Sequence, residues 1–140
     1  MAAKDTIAEL KRVPLFSGLD RKELEMLGHL LKERRYQAGA TMVEAGSAGH
    51  GLYVIIEGRA LVRKDGRTVA RLGPGDFFGE IAVLDDGPRT ADITAEEDTL
   101  CLMLAAWEVR PILQENASLT FKMLMEMVRR QRAERPRVVD

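Results

Sequence analysis

Residues 52–72 read LYVIIEGRALVRKDGRTVARL, and the fold is decided here. Leu52-Tyr53-Val54-Ile55-Ile56-Glu57 is a short run of aromatic and β-branched residues that stops at Gly58, which predicts a buried strand. Ala60 to Lys64 and Thr68 to Leu72 are two further strands, joined through Asp65-Gly66. Both of these turn residues accept the positive φ that a tight hairpin needs. Outward from this core, Thr41 to Glu44, Ala91 to Thr94 and Thr99 to Leu104 read as strands as well, with breaks at Gly46, Gly49, Gly51, Gly73 and Gly75. Short strands at regular spacing predict a sandwich or a barrel, and a jelly roll over residues 36–104 is the form expected.

Helical signals flank the strands. Residues 4–33 read as helices: Ile7 and Leu10 belong to a first one that ends at Val13-Pro14, because the residue before proline avoids the helical region. Asp20 caps a second, with Glu23 placed to reach back as in a capping box and Leu24, Leu27 and Leu31 on one face. After Ala105 the helical period returns over residues 106–134. Trp107 to Gln114 forms a short helix containing Pro111, and Ser118 caps a longer one that carries Leu119, Met123, Leu124, Met127 and Val128. The expected architecture is α+β, mainly β: an antiparallel jelly-roll barrel with N-terminal helices, a short helix inside the barrel sequence and a C-terminal helical lid, all in one domain spanning 1–140.

The composition fits that picture. The 140 residues suit a single domain, and 46% hydrophobic with 31% charged residues excludes disorder of the whole chain. The net charge is −1, but it is unevenly spread: residues 1–128 carry 16 basic and 20 acidic residues, and residues 129–140 carry five and two. DNA is therefore not an expected partner, and the five arginines read as a solvated helix end whose cations suit the helix dipole. No apolar run is long enough to span a bilayer, and MAAKDTIAELKR lacks the form of a secretory signal. The lone Cys101, inside Leu100 to Leu104, reads as a small buried hydrophobe in a cytoplasmic protein.

Catalytic chemistry finds few candidates. His29 and His50 are isolated, so neither they nor Cys101 supply the ligand cluster that a metalloenzyme of this fold would need. Ala45-Gly46-Ser47-Ala48-Gly49 lacks the first glycine of a nucleophile elbow and reads as a turn. No catalytic residue and no metal site is expected.

The segment Arg71 to Thr94, RLGPGDFFGEIAVLDDGPRTADIT, is more informative. Gly79-Glu80-Ile81-Ala82-Val83-Leu84 reads as a strand end turning into one helical turn, whose first N–H groups lack intrahelical partners and suit a phosphate. Arg89 follows after Gly87-Pro88, where the chain can turn back, and a guanidinium holds two phosphate oxygens side by side. Glu80 would repel a bare phosphate, but it suits a ligand that also offers a hydroxyl, such as a sugar phosphate. No P-loop lysine and no carboxylate pair for magnesium accompany them, which points to a singly charged phosphodiester. Taken alone, a Glu and an Arg nine residues apart are more often surface charges or an internal salt bridge.

Phe78-Gly79-Glu80-Ile81-Ala82, followed by Pro88-Arg89-Thr90-Ala91, resembles the phosphate-binding cassette of the cyclic nucleotide-binding domain family. The family includes sensor domains of kinase regulatory subunits, gated channels and the catabolite activator protein. The likeness extends to Pro14-Leu15-Phe16, to Leu52 to Gly58, and to Leu72-Gly73-Pro74-Gly75-Asp76. It implies a cassette over residues 78–91. In it Glu80 accepts from the ribose 2′-hydroxyl, Arg89 pairs with the cyclic phosphate, and amides from Gly79 to Ala82 and at Thr90 and Ala91 complete the seat. The Thr90 hydroxyl would lie near phosphate or purine. Where some relatives carry a lid arginine in the last helix, Leu124 stands here, so an apolar lid from Leu124, Met127 and Val128 is expected. His50 replaces the acidic residue of many relatives.

The expected function is that of a non-enzymatic sensor of cyclic AMP, with cyclic GMP second. It signals by movement of its C-terminal helix to a protein effector in trans or to a domain absent from this chain. The alternatives are a sensor domain of transcription-regulator type and a ligand-independent interaction module pairing through Met123, Met125 and Met127.

Overall fold

The computed structural model describes residues 3–47, 51–79 and 91–134. Helix α1, Ala3–Arg12, is followed by a single 3-10 turn, Pro14–Phe16, that begins on proline, and then by α2, Arg21–Leu30. The capping box forms as the sequence predicts: Glu23 N–H donates to Asp20 Oδ1 at 2.8 Å, and Asp20 N–H donates to Glu23 Oε1 at 2.9 Å. Leu10, Leu15, Phe16, Leu24 and Leu27 are buried.

Among the described residues eight strands follow: β1 (Lys32–Tyr36), β2 (Thr41–Val43), β3 (Gly51–Glu57), β4 (Ala60–Lys64), β5 (Arg67–Leu72), β6 (Phe77–Phe78), β7 (Asp92–Ala95) and β8 (Thr99–Ala105). Two helices complete the described chain, α3 (Ala106–Glu115) and α4 (Ala117–Glu134). At the β4–β5 turn Asp65 and Gly66 both take positive φ, 51° and 75°, as their hairpin reading requires.

The strands do not close into a barrel, which corrects the jelly-roll expectation. They form two four-stranded antiparallel sheets, ordered β1-β8-β3-β6 and β2-β7-β4-β5. The reason lies in the connections. Apart from the β4–β5 hairpin, each step along the sequence carries the chain from one sheet to the other, so hydrogen-bonded neighbours are mostly distant in sequence. The edge strands β1 and β6 on one sheet, and β2 and β5 on the other, are left without a further strand among the described residues.

This arrangement creates two cores. Alternate side chains of a strand point to opposite faces, and β3 and β8 are apolar on both. Leu52, Val54, Leu102, Leu104 and Phe77 face the helices and join Leu10, Leu24, Leu27, Val109, Ile112, Leu119 and Met123. Tyr53, Ile55, Cys101, Met103 and Phe78 face the second sheet and join Met42, Val43, Ala60, Leu72, Ile93 and Ala95. Helices, first sheet and second sheet are thus three layers.

Several boundaries differ from the sequence expectation. Helix was expected through residue 33, but the chain becomes extended at Leu31 and β1 starts at Lys32. Lys32-Glu33-Arg34-Arg35 shows no apolar alternation because β1 is an exposed edge whose register is set by the apolar β8. Helix α4 starts at Ala117, which places Ser118 inside its first turn. Asn116 precedes it, and its side-chain amide donates to Ile112 O at 2.7 Å.

Candidate functional site

The segment before the expected cassette is held in a hydrogen-bonded turn. In Gly73-Pro74-Gly75-Asp76, the Gly73 N–H donates to Asp76 Oδ2 at 2.8 Å and the Asp76 N–H donates to Gly73 O at 3.0 Å. The turn is fixed to β3 by two more bonds: Gly75 N–H donates to Ile55 O, and Ile55 N–H donates to Asp76 O. Gly75 sits at φ +91°, and a Cβ there would meet Pro14 Cδ at 3.2 Å, so the Pro14 turn packs directly against it.

From this turn β6 runs for two residues whose side chains part. Phe77 is buried in the helix-side core, and Phe78 is buried between the sheets, where its ring stacks on Tyr53. Gly79 comes next at φ +92°, a conformation that side chains with a Cβ rarely adopt. The chain leaves β6 at this residue. It is described again at Ala91, which is buried, and enters β7 at Asp92. Of the residues expected to hold ligand, Phe78, Gly79 and Ala91 are described, and Phe78 and Ala91 are buried. Glu80, Ile81, Ala82, Arg89 and Thr90 lie outside the described residues, as does His50.

The last expected contact, Leu124, lies on α4 with its side chain half exposed, at 54%. The expected apolar group is divided between two helix faces. Leu119 and Met123 are buried and Met127 packs against the helix-side core, whereas Phe121, Leu124, Met125 and Val128 form an exposed stripe. Helix α4 is docked at its start by Lys122 Nζ, which donates to Pro14 O at 3.2 Å and to Ser17 Oγ at 2.6 Å.

Sequence reading missed Arg130. Its guanidinium carbon lies 4.3 Å from the centroid of the Phe77 ring, and its Nε donates to Glu126 Oε2 at 3.0 Å. Arg129 also donates to both oxygens of Glu126, at 2.6 Å each. Burial works against ionisation of Glu126, but the two guanidinium hydrogen bonds outweigh it and hold the carboxyl below its ordinary value. The signal was present in the sequence: Leu119, Met123 and Met127 lie at four-residue spacing, and Arg130 is the next position on that face.

The segment reading Ala45 to Gly49 as a turn holds over the described part, with Gly46 at φ +85° and Ser47 Oγ donating to Glu44 O at 2.6 Å. Among the described residues no helix is long and apolar enough to cross a membrane.

Two antiparallel sheets, a glycine of positive φ at the end of β6 and a terminal helix in contact with Phe77 define an α+β module. The cyclic nucleotide-binding domain model matches residues 33–116, and the chain belongs to that family. A cyclic AMP receptor protein from Thermus thermophilus is 36% identical over 100 residues, covering 68% of this chain and 46% of that protein. A cAMP-dependent protein kinase regulatory subunit from Colletotrichum orbiculare is 38% identical over 91 residues, covering 64% of this chain and 23% of the other. The crystal structure of the Thermus thermophilus catabolite activator protein superposes with a TM-score of 0.74 at 31% identity, covering 85% of this chain and 58% of that one. This chain thus spans less than half the length of these two curated relatives. The domains it matches are regulatory modules and not catalytic ones.

Proposed function

We propose that this domain senses cyclic AMP, with cyclic GMP as the second ligand, and passes the signal through α4 to a protein effector in the cytoplasm. The observation that carries the reading is the family match over residues 33–116, which encloses the whole cassette of residues 78–91. Gly79 at φ +92° supports it, because a glycine with no Cβ lets the backbone come close to a ligand. In this reading Glu80 accepts from the ribose 2′-hydroxyl and Arg89 pairs with the cyclic phosphate. The amides of Gly79, Ile81, Ala82, Thr90 and Ala91 complete the phosphate seat, and Leu124 with Val128 covers the base once α4 has swung. DNA takes no part.

Titration calorimetry with cyclic AMP and cyclic GMP tests the reading. Removing one partner of a desolvated charged pair costs about 2–5 kcal/mol, on the order of 30- to several-thousand-fold in affinity. Arg89→Ala weakens binding on that scale and Glu80→Ala less. Equal affinity of wild type and Arg89→Ala overturns the site. The exposed stripe Phe121, Leu124, Met125 and Val128 favours a second reading, a ligand-independent interaction module. Self-association unchanged by either nucleotide, without nucleotide binding, decides for it.

A further inference from the structure

The last turn of α1, the Pro14 turn, the end of β3 and the Gly73 to Asp76 turn line a cleft of about 240 Å³. None of the residues expected to hold nucleotide borders it. Its walls are fixed in place. Gly75 N–H donates to Ile55 O, Ile55 N–H donates to Asp76 O, and Pro14 packs 3.2 Å from where a Cβ of Gly75 would stand. Val13 is buried, and Ile56 packs on the helix-side core. The pairing of β3 with β8 shifts register between Ile55 and Glu57, an irregularity of the kind that re-aims side chains beside binding sites.

Three charged side chains border this apolar wall: Glu9, Arg12 and Glu57. Glu9 Oε2 is buried and has no hydrogen-bond partner. A buried carboxylate oxygen in that condition costs free energy until a donor reaches it. Arg12 lies three residues on along the same face of α1, a spacing that suits an ion pair, yet it does not donate to that oxygen. Two carboxylates against one guanidinium leave an excess of one negative charge. An anion placed here would meet both carboxylates, and a neutral donor would satisfy the oxygen but not the excess charge. Size narrows the choice further. A cavity of about 150 Å³ takes a molecule as small as benzene and drug-sized ligands need about 300 Å³ or more, so this cleft suits one amino-acid side chain and not a nucleotide.

We propose that this cleft binds an alkyl guanidinium or alkylammonium group, the chemistry carried by arginine and lysine, with the cation on Glu9 Oε2 and the apolar stem along Val13, Pro14 and Pro74. Glu57, exposed at the end of β3, adds a second carboxylate for the same charge. Arg12 separates the two sources of that chemistry. It repels a lone cation, but it attracts the α-carboxylate of a free basic amino acid, which a side chain within a protein does not bring. Nothing in the site depends on the cyclic nucleotide reading.

Titrating the full chain with agmatine, free arginine and N-acetyl-arginine amide, while following the amide NMR signals of Ile56, Glu57 and Gly75, tests this. Agmatine is expected to shift these signals in wild type. Glu9→Gln keeps the shape without the charge and weakens agmatine binding about tenfold or more. Arg12→Ala tightens agmatine and weakens free arginine. Free arginine binding more tightly than the capped form supports the site with a free amino acid as its source, and the reverse order supports it with a protein side chain. Where Glu9→Gln lowers the melting temperature, Glu57→Gln gives the same direction of change without touching a buried group. No shift by any of the three compounds overturns the proposal, as does equal agmatine affinity in wild type, Glu9→Gln and Glu57→Gln, which leaves the oxygen to solvent. Cyclic AMP is expected to leave agmatine binding unchanged; mutual exclusion of the two would place agmatine in the nucleotide site and overturns the proposal as well.

Discussion

Tyr53 and Phe78 lie face to face, with ring centroids 4.9 Å apart and planes within 3° of parallel. They are cross-strand partners on β3 and β6, and Phe78 is the last residue before the Gly79 bend. The stacked pair therefore fixes where β6 ends. Tyr36 on β1 extends the cluster: burial, the charge of Tyr53 and a hydrogen bond with Tyr53 raise its phenol above the ordinary value. Side chains from three strands of one sheet thereby meet at the end of β6, two of these strands being edges, which stiffens a strand only two residues long.

Truncating this anchor removes a buried ring from the core between the sheets. Phe78→Ala is expected to cost about 3–5 kcal/mol in urea unfolding, as for other large-to-small changes in a packed interior. Phe78→Leu keeps apolar bulk and costs less. A loss below about 1 kcal/mol for the alanine variant would show that the site collapses freely and that the stack is not holding the strand.

Gly58 is the crossing point between the sheets, and its backbone allows no side chain. It has φ +98°, and a Cβ would stand 2.5 Å from both Asp98 O and Thr99 Oγ1. The neighbourhood is tied down, since Arg59 O accepts from Glu96 N–H at 2.8 Å and Thr99 Oγ1 donates to Glu97 O at 2.8 Å. Gly58→Ala is expected to destabilise by at least about 1–2 kcal/mol from the backbone alone, with the clash adding to it. Gly66→Ala is the control, because it shares a positive φ, 75°, but meets nothing within 4 Å. Equal thermal shifts for the two variants would refute the clash.

Legibility in the sequence followed how local each signal was. The Asp20 and Glu23 box and the Asp65-Gly66 hairpin are decided within four residues, so both were readable. The apolar strands β3 and β8 were readable because they are buried on both faces. Strand β1 was not, since Lys32, Glu33, Arg34 and Arg35 are exposed and take their pairing from β8, almost seventy residues away. The failure of the sheets to close was equally hidden, because strand order depends on pairings that no short window contains. At the site, the glycine bend and its flanking residues were legible as a motif. The division of the α4 apolar residues between two faces, and the placing of Arg130 on the buried one, needed the position of Phe77.

Glu126 provides an acid-side test of the α4 contacts. Its side chain is 22% exposed, and the hydrogen bonds from Arg129 and Arg130, working against burial, lower its folded-state value from the ordinary 4.5. A lowered carboxylate adds stability that is present above the unfolded value and lost as pH falls through the folded one. Glu126→Gln is expected to lose about 1–2 kcal/mol at neutral pH, a modest figure because Arg129 is largely in solvent. The gap from wild type should narrow on acidification below pH 4.5. Denaturation curves recorded across that range check it; a constant gap would mean that the carboxylate charge is not what Arg129 and Arg130 use.

Cys101 tests the core between the sheets from the alkaline side. It is fully buried on β8 opposite Ile55, and burial raises its thiol from 9.0 to about 12. A buried thiol stays protonated, and the thiolate is the reactive form. Modification by a thiol reagent at pH 8 is therefore expected to proceed only through opening of the structure, at a rate that rises with urea in step with unfolding. The same shift sets a stability window. The thiol's contribution is undiminished below pH 9, where both states are protonated, and declines as the pH climbs toward 12 because the unfolded chain ionises first. Cys101→Ala loses packing but not this slope-bearing group, so its stability should fall less steeply than that of wild type between pH 9 and 11. Rapid labelling of the native protein, or identical alkaline slopes for the two chains, would place the thiol in contact with solvent and contradict the packing of β8 between the layers.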